Sequence, residues 1–390
     1  MTLSDHLRGI LAAEYPRFSK DEMVRRRTAV ESLLAEAGCT QLVFCGANRF
    51  GSAVQWLTGW PVTAEAVGVL TPGRPDALFV QYHNHVPQAR RLARDAEVAW
   101  GGQSSIREAA GELEKRGGKT GKVAVIGPLG ADQHQVLAGR FGNLTNLNKA
   151  YTRLRMIKSA EELDWLRIGA HFSDLGMMAL RDGLRPGLTE RELGDLVEHA
   201  YVAQGGTNVI HYFGVTPMRD PQLAVPAQFP STRHIENGDL VFAEISAAFW
   251  DYPGQVLRSF ALDEPTPLYR DLHAAADAAF DAVVAVLRDG AMPAQVMEAA
   301  RVIEDAGFTT IDDLLHGYGG GYLPPILGSA SRPAGPVPDE PFRAGMTVVI
   351  QPNVVTKDYK AGVQTGEMVL IARDGTKRMH AMPRGFLVLG

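Results

Sequence analysis

The stretch ENGDLVFAEISAAFWDYPGQVLRSF, residues 236–260 of a chain of 390, decides how the sequence is read. Apolar, β-forming runs lie on either side of FWDYPG, so two neighbouring strands are expected. The first run carries a lone carboxylate, Glu244, and the second an amide, Gln255. An unpaired carboxylate is very costly to bury, so Glu244 must find a partner elsewhere in the chain.

Other segments also place polar groups in apolar surroundings. They are NVIHYFG with His211, HGYGGG with His316, and VVIQPN and VQTGEMV with Gln351, Gln364 and Glu367. A histidine beside glycines is open to a ligand, because the missing side chains leave room. Two imidazoles and up to two carboxylates suffice for general acid–base work near neutral pH, and they could equally form a structural network. His211, Glu244 and His316 are the candidate catalytic residues. Gln255, Gln351, Gln364, Glu367, Tyr252 and Tyr318 are candidate substrate contacts. His83 and His85, in QYHNHVP, form an earlier cluster that could reach a site across a dimer interface. The aromatic residues near these groups suit core packing, or a pocket for a flat or cationic organic molecule.

Composition narrows the classes. Hydrophobic residues make up 45% and charged residues 21%, enough for a substantial core in two domains. The formal charge of −5 and the lack of a dense basic run give a nucleic-acid partner no electrostatic case. No apolar stretch is long enough to span a bilayer, and the N-terminus lacks an export-type apolar segment. Cys39 and Cys45 flank QLVF and read as two buried thiols in a reducing compartment, so a cytoplasmic protein is expected. No nucleotide-binding glycine fingerprint and no GxSxG serine elbow occurs in a fitting context.

Residues 22–37 have helical periodicity, and QLVFCG, VAWGG and KVAVIGP (122–128) read as strands between helices, an α/β pattern ending near residue 150. Residues 159–181 open with Ser159 and Glu162, a capping box. LTERELGDLVEHAYVAQGG, 268–289 and 293–306 read as further helices, and MTVVIQPNVV and GEMVLIARDG as strands. The proline-rich segment 328–345 reads as irregular, either a surface loop or one folded over a pocket mouth.

LRMIKSAEELDWLRIGA (154–170), the 236–260 stretch, HGYGGG, FRAGMTVVIQPNVV and GVQTGEMVLIARDG together, in this order, resemble the creatinase/prolidase/methionine-aminopeptidase family. The resemblance covers nearly the whole chain. It implies an α/β N-terminal creatinase-like domain, residues 1–155, followed by an α+β pita-bread catalytic domain, residues 156–390. Metallopeptidases of that family hold two divalent ions with two aspartates, a histidine and two glutamates. On this chain the aspartates fall at Glu244 and Gln255, the histidine at His316, and the glutamates at Gln351 and Gly366, with Glu367 one residue beyond. A further family histidine falls near Leu323. Glu367 is expected on the opposite face of its strand unless a bulge turns it inward. Hard cations want carboxylate oxygens, which neutral amides do not supply. The resemblance to creatinase then implies a metal-independent hydrolase, without cofactor, that cleaves a C–N bond in a small nitrogen-containing organic acid or amidine. His211 would move a proton, Glu244 would orient or stabilise charge, and His316 would donate to the leaving group. The alternatives are a metal-free lyase or decarboxylase, a non-catalytic binding module, and an Xaa-Pro-type metallopeptidase. A homodimer acting on a small molecule, without nucleic acid or membrane, is the expected assembly.

Overall fold

The computed structural model describes residues 3–117 and 121–389. The chain forms two compact units, one of Ala13–Arg155 and one of Met156–Gly390 together with the N-terminal segment through Ala12. That segment contains the short helix Asp5–Ala12, tied to the second unit by His6 Nε2, 2.8 Å from Asp164 Oδ2.

The Ala13–Arg155 unit is built on a mixed six-stranded sheet. Its strands lie in the order Ala96–Trp100, Asp76–Val80, Glu65–Leu70, Gln41–Ala47, Val123–Ile126 and Thr145–Asn146. The apolar strand Gln41–Ala47 runs antiparallel to Glu65–Leu70 and parallel to Val123–Ile126, and helix Ser105–Gly117 covers one face through Ile106, Ala110 and Leu113. Cys39 and Cys45 are free and buried, and burial pushes the Cys45 thiol up to about 12.

The larger unit is a curled sheet flanked by helices. Its main path runs Tyr322–Leu327, Leu315–Tyr318, Thr347–Ile350, Gly366–Ile371, Tyr252–Ala261, Asp239–Phe249 and Gly206–Pro217. Each neighbouring pair on this path is antiparallel. Residues 239–261 form the expected hairpin, with Phe249 opposite Tyr252 across the two-residue turn Trp250–Asp251. Within it Glu244 faces Leu257 and Ser246 faces Gln255. Residues directly opposite one another share a face, so Glu244, Ser246 and Gln255 project to the same side. That side is called the inner face below.

The outer face packs against the long helix Ala160–Gly183. The capping box anticipated at its start is present, with Glu162 N donating to Ser159 Oγ at 3.1 Å and Ser159 N donating to Glu162 Oε2 at 3.0 Å. Ser173 fastens the helix to the hairpin, accepting from Ala247 N at 2.8 Å and donating to Gly254 O at 2.6 Å. Glycine is required at this contact: a Cβ on Gly254 would lie 2.3 Å from Ala170 Cα, and one on Gly169 would lie 2.1 Å from Tyr252 O.

Helix Pro267–Val286 closes another part of the core through Tyr269, Leu272, Ala276 and Phe280. The expected helix over 293–306 is broken into Pro293–Ala299 and Val302–Asp305. Residues 328–345 contain neither helix nor strand. Among the described residues no helix is long and apolar enough to cross a membrane.

Candidate functional site

Glu244 lies buried on the inner face, and its partner is Gln255, whose Nε2 donates to Glu244 Oε1 at 2.5 Å. The same Nε2 stands 3.4 Å from Gln351 Oε1. Burial, then the charge of Asp312, pushes the Glu244 carboxyl up to about 7, against hydrogen bonds from Gln364 and Gln255. A group poised there can hold or release a proton near neutral pH.

His316 comes from the central strand Leu315–Tyr318 and is buried. Its Nδ1 lies 3.1 Å from Gly317 O. A carbonyl only accepts, so Nδ1 carries the proton and the neutral ring presents the Nε2 lone pair. Burial lowers the His316 pKa, opposed by Gly317, Gln351 and the charges of Asp313 and Asp312. Tyr322 stacks on the imidazole with centroids 3.9 Å apart, and Tyr318 meets it edge-on at 5.5 Å. Tyr318 lies against Ser246, which joins it to the hairpin. At the rim, Tyr322 OH donates to Asp313 Oδ2 at 2.5 Å, and Arg332, from the proline-rich segment, reaches Asp313 Oδ1 at 3.2 Å.

Glu244, Gln255, Gln351, Gln364, His316 and Tyr318 are therefore brought together. Several other candidates are not. His211 sits opposite Ile245, on the outer face, with Nδ1 2.7 Å from Glu198 Oε1 and the Asn208 amide at 3.2 Å. It is Tyr212 that pairs with Glu244 and shares its face. The register shift between Asn208 and Ile210 sets this parity, and it corrects the expectation that His211 moves protons in the site. Tyr252 also departs from expectation: its OH donates to Glu162 Oε1 at 3.2 Å and its ring packs against Trp165, on the helix side.

Glu367 faces Val256, so it projects outward, where Arg258 Nη2 donates to it at 2.7 Å and Arg378 Nη2 at 2.9 Å. No bulge turns it inward, and it is a buried ion-pair partner rather than a substrate contact. His83 and His85 belong to the other unit, where His83 packs edge-on against Trp100 and His85 Nδ1 stands 2.8 Å from Thr63 Oγ1. Asp312 and Asp313 went unnoticed in the sequence; IDDLL looks like an ordinary charged loop before HGYGGG.

The family resemblance implies two divalent ions at this place, and the donor set does not fit them. Gln255 commits its N–H donor to Glu244 and leaves only a neutral amide oxygen, so the pair brings one carboxylate where two divalent ions need several. Glu367 is held by two guanidinium groups on the far side of its strand. Gly366 faces the right way, but a Cβ there would lie 2.4 Å from Ile350 O and 3.0 Å from Gln351 Cα. Among the described residues no three His, Cys, Asp or Glu side chains gather as a metal site.

Comparison with known proteins places the chain. The family model for metallopeptidase family M24 matches residues 164–373, more than half of the sequence. The Xaa-Pro dipeptidase of Pyrococcus furiosus is 26% identical over 238 residues, 60% of this chain and 66% of that protein. A Bacillus subtilis protein named uncharacterized peptidase YqhT is 22% identical over 86% of this chain and 93% of its own length. The probable dipeptidase PepE of Mycobacterium tuberculosis is 28% identical over 61% of this chain and 62% of its own. The match to the two named dipeptidases thus spans just under two thirds of their length. The solved X-Pro aminopeptidase of Thermotoga maritima superposes with a TM-score of 0.79 at 16% identity, covering 93% of this chain and 99% of that one. Dipeptidase PepE of Mycobacterium ulcerans superposes with a TM-score of 0.78 at 24% identity, over 95% and 99%. These findings confirm the two-domain pita-bread fold. They overturn the expectation of a metal-independent, creatinase-like hydrolase or lyase, because the matching family and the named relatives are metallopeptidases and dipeptidases. The chain belongs to metallopeptidase family M24.

Proposed function

We propose that this chain is a hydrolase for short peptides of the Xaa-Pro type, with residues 156–390 as its catalytic part. The observation that carries the reading is the buried pair of Glu244 and His316, joined through Gln255 and Gln351 on the inner face, in a family whose named relatives are Xaa-Pro dipeptidases. Metal in such a peptidase polarises a carbonyl and activates water. The donors described above do not fit two ions. Glu244 holds or accepts a proton, His316 offers the Nε2 lone pair, and the glutamine amides orient the peptide. The reading includes a two-fold homodimer in the cytoplasm and a small-molecule substrate. No basic run supports nucleic-acid binding at a net charge of −5.

The test is proline release from Ala-Pro, with Ala-Ala as control, followed by mass spectrometry with EDTA and with added Mn²⁺. Release that disappears in His316→Ala supports the reading. A second reading, a peptide-binding domain without turnover, is favoured by the blocked space at Gly366 and the consumed carboxylate of Glu367. Saturable binding of Ala-Pro without release of proline under either condition would select it.

A further inference from the structure

The inner-face cup is short of donors and rich in acceptors. Gln255 points its Nε2 at Glu244, and Gln364 also donates to that carboxylate. An amide that commits its nitrogen to a carboxylate presents its oxygen to whatever else lies in the cup. Gln255 Oε1 and Gln364 Oε1 are both buried with no hydrogen-bond partner, and His316 Nε2 has none at hydrogen-bonding geometry, Gln351 being the side chain that acts on the ring from nearby. All three residues are at least 98% buried. Leaving three such acceptors unmatched is costly unless a ligand satisfies them. Charge points the same way. Asp312 adds its negative charge to that of Glu244, while Arg332 is spent on Asp313.

We infer that this cup seats the ammonium group of a small ligand, accepted by Gln255 Oε1, Gln364 Oε1 and His316 Nε2 beside the Glu244 and Asp312 carboxylates. An ammonium carries three donors and one positive charge, which matches three free acceptors in an acidic cup. A neutral amide oxygen accepts an N–H less strongly than a carboxylate does but adds no charge, so amides at 255 and 364 suit a single cationic nitrogen better than two divalent ions. The inference rests on the reading of the cup as the substrate pocket. It names the free amino group of the peptide as the feature recognised there.

The experiment follows the imidazole nitrogens of the full chain, labelled with ¹⁵N-histidine, with the His316 signal identified by its loss in His316→Gln. Methylammonium chloride should shift the Nε2 signal saturably. Tetramethylammonium has the same charge and no N–H, and should bind at least about tenfold more weakly. Gln364→Leu should weaken methylammonium binding, and Gln255→Met serves if that variant does not fold. Equal binding of the two cations, or no saturable shift, overturns the inference. Mn²⁺ occupying the cup stoichiometrically without competition from methylammonium overturns it as well. Peptides separate the two levels of the argument. Equal affinity for Ala-Pro and N-acetyl-Ala-Pro removes the ammonium site and leaves the peptidase reading. Methylammonium binding without any affinity for Ala-Pro does the reverse.

Discussion

Gly366→Ala is the sharpest perturbation of the candidate site, because it adds one methyl group where the family places a carboxylate. The new Cβ would lie 2.4 Å from Ile350 O and 3.0 Å from Gln351 Cα, with Leu257 Cδ1 at 3.2 Å. The two nearest atoms are main chain, pinned by the ladder between Thr347–Ile350 and Gly366–Ile371, so they cannot swing aside as a side-chain tip would. Gly366 does not have positive φ, so the cost is steric and not torsional. Overpacking of this kind costs about 2–3 kcal/mol. At about 2–4 °C per kcal/mol for a unit of this size, the melting temperature should fall by about 4–12 °C. The assay is thermal and urea unfolding followed by circular dichroism, with Gly9→Ala as the control. Gly9 lies in the helix Asp5–Ala12 with open space around its Cβ position, so that change should be neutral or slightly stabilising. Gly366→Glu should be at least as destabilised as Gly366→Ala and should gain no tight Mn²⁺ binding. If Gly366→Ala unfolds with the wild type, or Gly366→Glu binds Mn²⁺ stoichiometrically at wild-type stability, the packing argument is wrong.

Further expectations follow from where the side chains point. His316→Ala should lower kcat/KM for an Xaa-Pro dipeptide by at least about 100-fold, whereas His211→Ala, on the outer face against Glu198, should stay within about threefold. Steady-state kinetics on the two variants decides this. Burial pushes the Asp174 carboxyl up, but the charge and hydrogen bond of His380 and the backbone N–H groups of Ala381 and Met382 outweigh it, leaving a depressed value. A depressed carboxylate stabilises the fold above its unfolded value of about 3.9 and loses that contribution as pH falls through the folded value. Asp174→Asn should therefore cost about 3 kcal/mol at pH 7, and the gap from wild type should close below about pH 4 in urea titrations. The Cys45 thiol, buried and pushed up to about 12, should resist iodoacetamide at pH 8 in the native chain and react once urea unfolds it.

Local signals carried much of the fold. Ser159 and Glu162 announce the start of helix Ala160–Gly183, and the apolar runs around FWDYPG announce the hairpin that carries Glu244 and Gln255. Motif order supplied the rest of the larger unit. What failed was parity. His211 and Tyr212 are neighbours in sequence, and the register shift near Val209 decides which one meets Glu244. Nothing in the letters marks that shift. Tyr252 sits beside a two-residue turn, and its face depends on where Glu162 and Trp165 lie in a helix 90 positions earlier. Strand alternation points Glu367 outward, against its place among the candidate substrate contacts, and its partners Arg258 and Arg378 are visible only in three dimensions. Asp312 matters through the action of its charge on Glu244, a non-local fact that composition cannot show.

The most direct test of the account is a crystal structure of the chain grown with Ala-Pro and Mn²⁺ together. The dipeptide should lie in the inner-face cup, its amino group against Gln255 and Gln364 and its amide near His316. Gln255 Nε2 should still rest on Glu244, and Glu367 on Arg258 and Arg378. Two Mn²⁺ ions held between Glu244 and a Glu367 turned inward would contradict it, as would a dipeptide bound elsewhere.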